Sequence, residues 1–392
     1  MRLPLALAGS AALAAVLVAP LAPARALLSE RTLGQDELWV VLASRRDPAE
    51  AIALARGFAP RFEAIHVATS SNGWHAVYGG PVAVGDADRT EAALRAEPAL
   101  PDDLFLSDGS RFSPPFYSLD APRHETLHYG GEAPLSLPFD GATLVLSSRR
   151  DAYDLYYPVI EGRADGETLF SMDLSDAASF SRGAFVTIAP LDPRAPENRQ
   201  VVVAAFTGGA HCCALTRIAT PLGGGWAVVP GAMLDGDRGY AVEDLDGDGI
   251  HELASVDQSF LYAYAPYAFS FAPLVIERFA GKKIVEVTDD PRFRPALEED
   301  LARLEEAAEE TPSLWRENGF LAAWVAAKAR LGDVDEAWAR MLARYDRGAD
   351  WPLTVCAADP APDGGCPPGA ERQASFPEAL EAHLRARGYV DG

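Results

Sequence analysis

Four acidic side chains are spaced along one short segment in the pattern that a calcium-binding loop requires. Asp244, Asp246 and Asp248 alternate, Gly249 follows directly, and Glu252 lies eight residues after the first aspartate. Alternation points the carboxylates toward one centre, and the glycine permits the sharp turn that lets several oxygens surround a hard cation. Without a counter-charge these acids would repel one another, so the sequence predicts a Ca²⁺ site.

The spacing and the flanks distinguish this loop from an EF-hand. An EF-hand carries a bidentate glutamate at its twelfth position, which counted from Asp244 is Ser255 in this chain. Residues 239–242 before the loop and 253–256 after it read as short strands rather than amphipathic helices. Over residues 240–275 this strand–loop–strand setting resembles the calcium loops of FG-GAP repeats in integrin-alpha-type propellers.

The FG-GAP resemblance implies a set of ligands for the ion. Four acids would give side-chain oxygens and one apolar residue a backbone carbonyl: Asp244, Asp246, Asp248, Glu252 and Ile250. Glutamate at the ninth position departs from the aspartate of the family, but the longer side chain still reaches the ion. The bound Ca²⁺ would have a structural role, pinning two strands. The alternative is a solvated acidic turn in an acidic protein.

The N-terminus has the features of a secretory signal peptide over residues 1–26. Arg2 precedes a stretch rich in alanine, leucine and valine, and Ala24-Arg25-Ala26 forms an A-x-A cleavage site. Prolines interrupt the apolar stretch, which makes it a poor membrane-spanning helix. The sequence therefore predicts a periplasmic or extracellular protein that has no transmembrane segment after cleavage.

The net charge limits the partners that the protein can have, and the cysteines indicate its compartment. The formal net charge of −23 disfavours binding to nucleic acid or anionic lipid. Four cysteines form two pairs along the chain, and thiols in an oxidising compartment tend to become disulfides. Three connectivities are possible. The simplest joins Cys356 to Cys366 and closes the short Pro/Gly/Asp-rich loop between them.

Residues 27–112 form the first predicted domain, whose 37–112 part has the element order βαββαβ. This order resembles a SPOR domain, the peptidoglycan-binding module of bacterial envelopes. The likeness rests on the first strand at 39–44, the helix after Asp47, and the glycine- and aromatic-containing segment 73–81. The resemblance implies binding to peptidoglycan glycan strands. A ferredoxin-like interaction or spacer domain is the alternative.

Alternation along the strand at 74–78 decides which side chains share a face of this domain. Trp74 and Tyr78 fall on one face, and His75 falls on the other. On an open sheet face the two aromatic rings would stack against sugar rings. Under the two helices they would instead be core, and His75 would point outward.

The rest of the chain divides into three parts in an α+β multidomain fold. Residues 113–136 are rich in proline, serine, glycine and histidine and predict a linker. Residues 137–290 carry many short alternating runs and predict an all-β domain, either a sandwich or an irregular propeller, that contains the calcium loop. Residues 291–392 have helical periodicity and predict a helical region with the Cys356–Cys366 loop.

A second unusual stretch, Gly208-Gly-Ala-His211-Cys212-Cys213, allows three chemical interpretations. In the first, Cys213 or Cys212 is a nucleophile and His211 is its base. In the second, the histidine and cysteines bind a soft metal such as copper or zinc. In the third, the cysteines are structural, joined to each other, buried, or bonded to the distant pair.

These features predict a secreted bacterial envelope protein that is not an enzyme. Its calcium-stabilised β-domain would serve as a binding or scaffold module, and the SPOR-like domain would tether it to peptidoglycan or sense it. The predicted partner is therefore peptidoglycan glycan strands or an envelope protein. One alternative is a periplasmic hydrolase of envelope polymers with its site near His211 and Cys213. Another is a calcium-dependent adhesion or ligand-binding protein without wall affinity.

Overall fold

The structure is a computed structural model that describes residues 33–34, 36–120, 123–210, 212–358 and 366–390. The predicted signal peptide lies outside the described residues. Within them the fold is mixed α+β, built mainly from several antiparallel sheets, with a helical C-terminal region, as the sequence predicts at that level. No described helix is both long and apolar enough to cross a membrane.

The N-terminal elements follow in the order strand, helix, strand, strand, helix, strand. They are β1 (Glu37–Arg45), α1 (Pro48–Phe58), β2 (Ala64–Thr69), β3 (His75–Ala83), α2 (Ala87–Arg95) and β4 (Phe105–Ser107). The strands lie side by side in the order β2–β3–β1–β4. Asp47 begins α1 by accepting the Glu50 N–H over 3.0 Å, and Pro48 occupies the first turn. The buried face of α1, with Ile52, then packs on this sheet.

The segment 113–136, predicted as a linker, contains two strands of the same sheet. They are β5 (Tyr117–Asp120) and β6 (His124–Tyr129), and β5 pairs with β2 on one side and with β6 on the other. The prolines at 114 and 115 precede both strands. Tyr117, Leu127 and Tyr129 are buried in the main core, and this burial outweighs the linker-like composition.

The next elements form a second sheet and complete the first. A four-stranded meander consists of β7 (Leu135–Phe139), β8 (Ala142–Arg150), β9 (Tyr156–Ala164) and β10 (Glu167–Asp173). Four further strands extend the first sheet to ten strands: β11 (Ala184–Ala189), β12 (Gln200–Phe206), β13 (Cys212–Leu222) and β14 (Gly225–Asp235). One hydrophobic core joins the two sheets, with Leu144 and Ile160 of the meander in the same cluster as Val203.

A third sheet carries the acidic loop. Its strands are β15 (Ala241–Glu243), β16 (Glu252–Val256), β17 (Leu274–Ala280) and β18 (Lys283–Glu286), paired in chain order. Val242, Leu253 and Phe279 pack in one cluster with Val202 and Ile218 of the ten-stranded sheet. The aromatic residues between β16 and β17 alternate as in a strand, but they lie in short 3₁₀ turns and connecting loops.

The C-terminal region is helical apart from one small hairpin. Its elements are α3 (Arg294–Glu310), α4 (Asn318–Arg330), α5 (Val334–Arg344), β19 (Thr354–Cys356), β20 (Glu371–Gln373) and α6 (Phe376–Ala386). Every residue of α4 from Asn318 to Ala327 is buried, so this helix is the centre of the C-terminal core. The turns between β16 and β17 contribute three aromatic side chains to the same core, namely Phe260, Tyr264 and Phe271. Burial in this core accounts for alternating aromatic residues in a segment that is not a strand.

Candidate metal centre

The acidic loop connects β15 to β16, and the pairing of those strands holds its ends together. Glu243 lies opposite Glu252 in this ladder. Asp244, Asp246 and Glu252 each offer one carboxylate oxygen, and the three oxygens lie within 4.8 Å of one another. Glu252 is fully buried, whereas Asp244 is exposed. The loop therefore presents a group of hard oxygen donors that opens to solvent on one side.

Backbone hydrogen bonds to the loop's own carboxylates fix its turns. The Gly249 N–H donates to Asp244 Oδ2 over 3.0 Å, and the Ile250 N–H donates to Asp248 Oδ1 over 2.8 Å. Asp246 Oδ1 accepts the Asp248 N–H over 3.2 Å. Gly249 has a φ of +83°, in the left-handed region that glycine adopts without strain. These are the sharp turns that the glycine spacing predicts.

An arginine from a neighbouring strand lies against the same acids. Arg278 of β17 donates through Nε to Glu252 Oε1 over 2.7 Å. Its Nη2 donates to Asp246 Oδ2 over 2.9 Å and to Asp248 Oδ2 over 2.8 Å. Arg292 Nη1 lies 3.6 Å from the second of these acceptors, Asp246 Oδ2. Sequence reasoning missed both arginines, since neither belongs to the loop.

The charges of the site fit a divalent cation. The acidic side chains of the loop, which are the three grouped acids and Asp248, outnumber the two guanidinium groups that face them. Burial raises the pKa of the Glu252 carboxyl to about 7 even though the Arg278 guanidinium beside it lowers this pKa, and a bound cation would favour the ionised form further. Carboxylate oxygens are ligands that Ca²⁺ prefers, and the donor set therefore suits this ion.

The structure places the predicted ligands in two groups. Asp244, Asp246 and Glu252 converge. Asp248 lies outside that group of three, and its carboxylate bonds to Arg278. The side chain of Ile250 is buried. The backbone carbonyl of Ile250 stays a predicted ligand.

The cysteine stretch has a different chemistry from a nucleophile or a thiolate metal site. Cys212 and Cys213 are bonded to each other at the start of β13. Thr207 holds the pair in place, since its Oγ1 accepts the Cys213 N–H over 3.1 Å. In this bonded state neither sulfur is a thiolate, and His211 lies outside the described residues. Cys356 and Cys366 form the second disulfide, beside the β19–β20 hairpin.

Two histidines far apart in sequence meet beside the acidic loop. The rings of His124 and His251 have centroids 4.7 Å apart and planes inclined by 31°. His124 Nδ1 lies 2.8 Å from Asp120 Oδ1. The sequence offers no ligand spacing for this pair, because β6 and the acidic loop are brought together only by the packing of the sheets.

The sheet face opposite α1 carries a cluster of aromatic rings. Trp39 contacts His66 and Tyr78 edge-on, with ring centroids 5.4 and 5.2 Å apart. Phe112 stacks on Tyr78, so that the Tyr78 ring is buried. Trp74 remains 37% exposed, beneath the Arg46 guanidinium. Tyr78 is thus core on the face away from the helices, and Trp74 is the accessible ring.

Comparison with known sequences shows the family of this chain. Residues 297–388 match the family described as the sll0997 C-terminal domain. Over 246 residues the chain is 32% identical to the probable thylakoid lumen protein sll0997 of Synechocystis. The aligned stretch covers 62% of this chain and 71% of that protein. The chain belongs to the same family as sll0997.

A second relative is longer than the chain. The uncharacterized protein y4bJ of Sinorhizobium fredii is 41% identical over 356 residues, which is 90% of this chain. The match spans only 56% of that relative's length. No solved structure matches the chain.

Proposed function

We propose that this protein is a non-enzymatic binding module of the bacterial envelope whose β-structure is stabilised by one Ca²⁺ ion. The observation that carries the proposal is the convergence of three carboxylate oxygens within 4.8 Å, in a loop whose acidic side chains outnumber the neighbouring arginines. Asp244, Asp246 and Glu252 would hold the ion. The ion would supply the positive charge that the loop lacks.

The position of the loop gives the ion a structural role. The loop closes the β15–β16 pair, and the His251 N–H that follows it donates to the Pro190 carbonyl over 2.8 Å. Ile250 packs its side chain inward beside this bond. A cation that fixes the loop would therefore stabilise both the third sheet and its contact with the segment after β11.

Three observations support an extracytoplasmic location. The relative sll0997 is described as a probable thylakoid lumen protein. Both cysteine pairs of this chain are disulfides in the structure, which suits an oxidising compartment. The first residues have the composition of a secretory signal. We place the protein in the periplasm or outside the cell.

The N-terminal elements would provide the attachment to peptidoglycan. Their chain order and the strand order β2–β3–β1–β4 agree with the SPOR resemblance. Because Phe112 covers Tyr78, the ring available for stacking on a sugar is Trp74, with part of Trp39. Arg46 beside Trp74 adds a hydrogen-bond donor for sugar hydroxyls.

Thermal melts of the mature chain with Ca²⁺ and with chelator test the calcium half of the proposal. Binding to the native state alone adds about 2.7 kcal/mol at a concentration of about one hundred times Kd. We expect a higher Tm in calcium, and Asp246→Ala should abolish the increase. Asp173→Ala is the matched control, because Asp173 caps an exposed turn elsewhere through one bond to the Ser175 N–H. Equal midpoints in calcium and chelator would reject the site.

Co-sedimentation with purified sacculi tests the wall-binding half. We expect the full mature chain to pellet and Trp74→Ala to bind about tenfold more weakly, as the loss of about 1.4 kcal/mol would give. Phe180→Ala is the control, because Phe180 is 87% exposed but lies outside the N-terminal elements. A chain that stays in the supernatant, or two variants that pellet equally, would reject the attachment.

A further inference from the structure

The paired imidazoles of His124 and His251 lie deep in the protein. His124 is the first residue of β6 in the ten-stranded sheet, and His251 directly precedes β16 in the third sheet. Only 9% of His124 and 6% of His251 is exposed. Two polar rings are thus withdrawn from water at the junction between two sheets.

One nitrogen of each ring is buried without a hydrogen-bond partner among the described residues. These atoms are His124 Nε2 and His251 Nδ1. Buried polar atoms in native proteins are nearly always paired, so two such atoms on adjoining rings call for a shared partner. In the tautomer that carries its proton on Nε2, His251 presents its lone pair on Nδ1, and one metal ion can then accept the lone pairs of both rings.

Asp120 sets the orientation of the first ring. Its Oδ1 lies 2.8 Å from His124 Nδ1, so that nitrogen carries the proton and donates to the carboxylate. The lone pair of His124 is therefore on Nε2, the atom that lacks a partner. A carboxylate behind a histidine is the arrangement that orients imidazole metal ligands and increases their basicity.

We propose that His124 Nε2 and His251 Nδ1 bind one divalent transition-metal ion of the copper and zinc type, with Asp120 as a positioning residue. Imidazole nitrogen suits these ions, whereas the carboxylate loop next to it suits calcium. The two sites would thus select different ions. The ion would join the ten-stranded sheet to the third sheet.

Titration of the tag-free mature chain with Cu²⁺, followed by electron paramagnetic resonance, tests the proposal. One equivalent should bind with a spectrum split by two nitrogens. His124→Phe and His251→Phe keep a ring of similar size in place, and each should weaken binding at least tenfold and remove the two-nitrogen splitting. Asp120→Asn should weaken binding about tenfold, as removal of an orienting carboxylate does.

Two controls separate this site from others. His128→Phe alters an exposed histidine on the same strand, β6, and should leave Cu²⁺ binding unchanged. Saturating Ca²⁺ should also leave Cu²⁺ binding unchanged, because the carboxylate loop and the imidazole pair suit different ions. Circular dichroism at each step confirms that the variants are folded. Two-nitrogen splitting that survives in either histidine variant, splitting lost in saturating Ca²⁺, or no stoichiometric binding would overturn the proposal.

Discussion

Arg56 of α1 donates from both Nε and Nη2 to one oxygen of Glu125 in β6, over 2.9 and 2.6 Å. Arg199 donates to the other Glu125 oxygen over 2.6 Å, and the Tyr117 hydroxyl adds a bond of 2.9 Å. Glu125 is buried, so this carboxylate fastens the N-terminal helix to the centre of the ten-stranded sheet.

Glu125→Ala should therefore destabilise the protein strongly. Removal of this partner leaves the partly buried Arg56 guanidinium without its carboxylate, which typically costs about 3–5 kcal/mol, whereas Arg199 keeps its pair with Asp140. Urea unfolding measures the loss. The control is Glu381→Ala, which breaks an exposed pair with Arg385 and should cost at most about 1 kcal/mol. A similar small loss in both variants would show that the buried network contributes little.

Arg278→Met should make the stability of the protein more dependent on calcium. Arg278 bonds Asp246, Asp248 and Glu252, and its loss leaves these acids without their nearest positive charge. In chelator we expect a loss of about 3 kcal/mol, and in saturating Ca²⁺ less than half of it, because the cation offsets the same charges.

The measurement is urea unfolding of both proteins under both conditions. Arg163→Met is the control, since Arg163 pairs with Glu161 far from the loop and its effect should not depend on calcium. An identical cost of Arg278→Met with and without calcium would contradict the expectation.

His66 should make the protein less stable in mild acid. Burial lowers the pKa of its imidazole to about 4, against about 6.5 in an unfolded chain. Between these values the unfolded state binds more protons than the folded state, so stability falls as pH drops from about 6.5 to 4. His66→Gln removes this contribution, and its free energy of unfolding should fall less steeply across that window.

Chemical unfolding of the unsubstituted protein and of His66→Gln at several pH values gives the slope of the free energy of unfolding against pH for each. The difference between their free energies at pH 8 measures any loss of packing. The other histidines contribute equally to both proteins, so the difference in slope belongs to His66. Parallel curves between pH 4 and 6.5 would show that the imidazole titrates normally.

The two disulfides should differ in their contribution to stability. Cys356 and Cys366 are separated by ten positions and close a loop, for which the chain-entropy model gives roughly 3 kcal/mol. Cys212 and Cys213 are adjacent and close almost no chain. We expect the Cys356→Ser/Cys366→Ser variant to lose far more stability than the Cys212→Ser/Cys213→Ser variant in thermal melts. The reverse order would mean that strain or packing, not loop closure, decides the effect.

Local patterns in the sequence predicted many of the elements. The spacing of the carboxylates at 244, 246, 248 and 252 predicts a shared centre, and in the structure Asp244, Asp246 and Glu252 converge while Asp248 lies outside that group. Arg278 contributes the opposing charge from the next strand of the sheet, and no local spacing reveals it. The helical periodicity after residue 294 was equally local, and α3, α4 and α5 lie where it predicted helices.

Long-range pairing explains what sequence reasoning missed. His124 and His251 lie 127 positions apart and meet only because two sheets pack together. The pairing of β2 with β5 is likewise invisible in a segment whose prolines and glycines are typical of a linker. The alternation of Phe260, Tyr262 and Tyr264 is typical of a strand. Two of these rings, those of Phe260 and Tyr264, are instead buried against the C-terminal helices, and the segment forms a turn.

The β2–β5 ladder, with Ile65 opposite Leu119, has a mechanical consequence. If the N-terminal elements hold a wall polymer, a pull on that polymer passes through backbone hydrogen bonds straight into the rest of the ten-stranded sheet. A flexible tether would absorb such a load by extending. Here β2, β5 and β6 are paired directly, so a load on the N-terminal elements would reach His124 and the junction with the third sheet through the sheet itself.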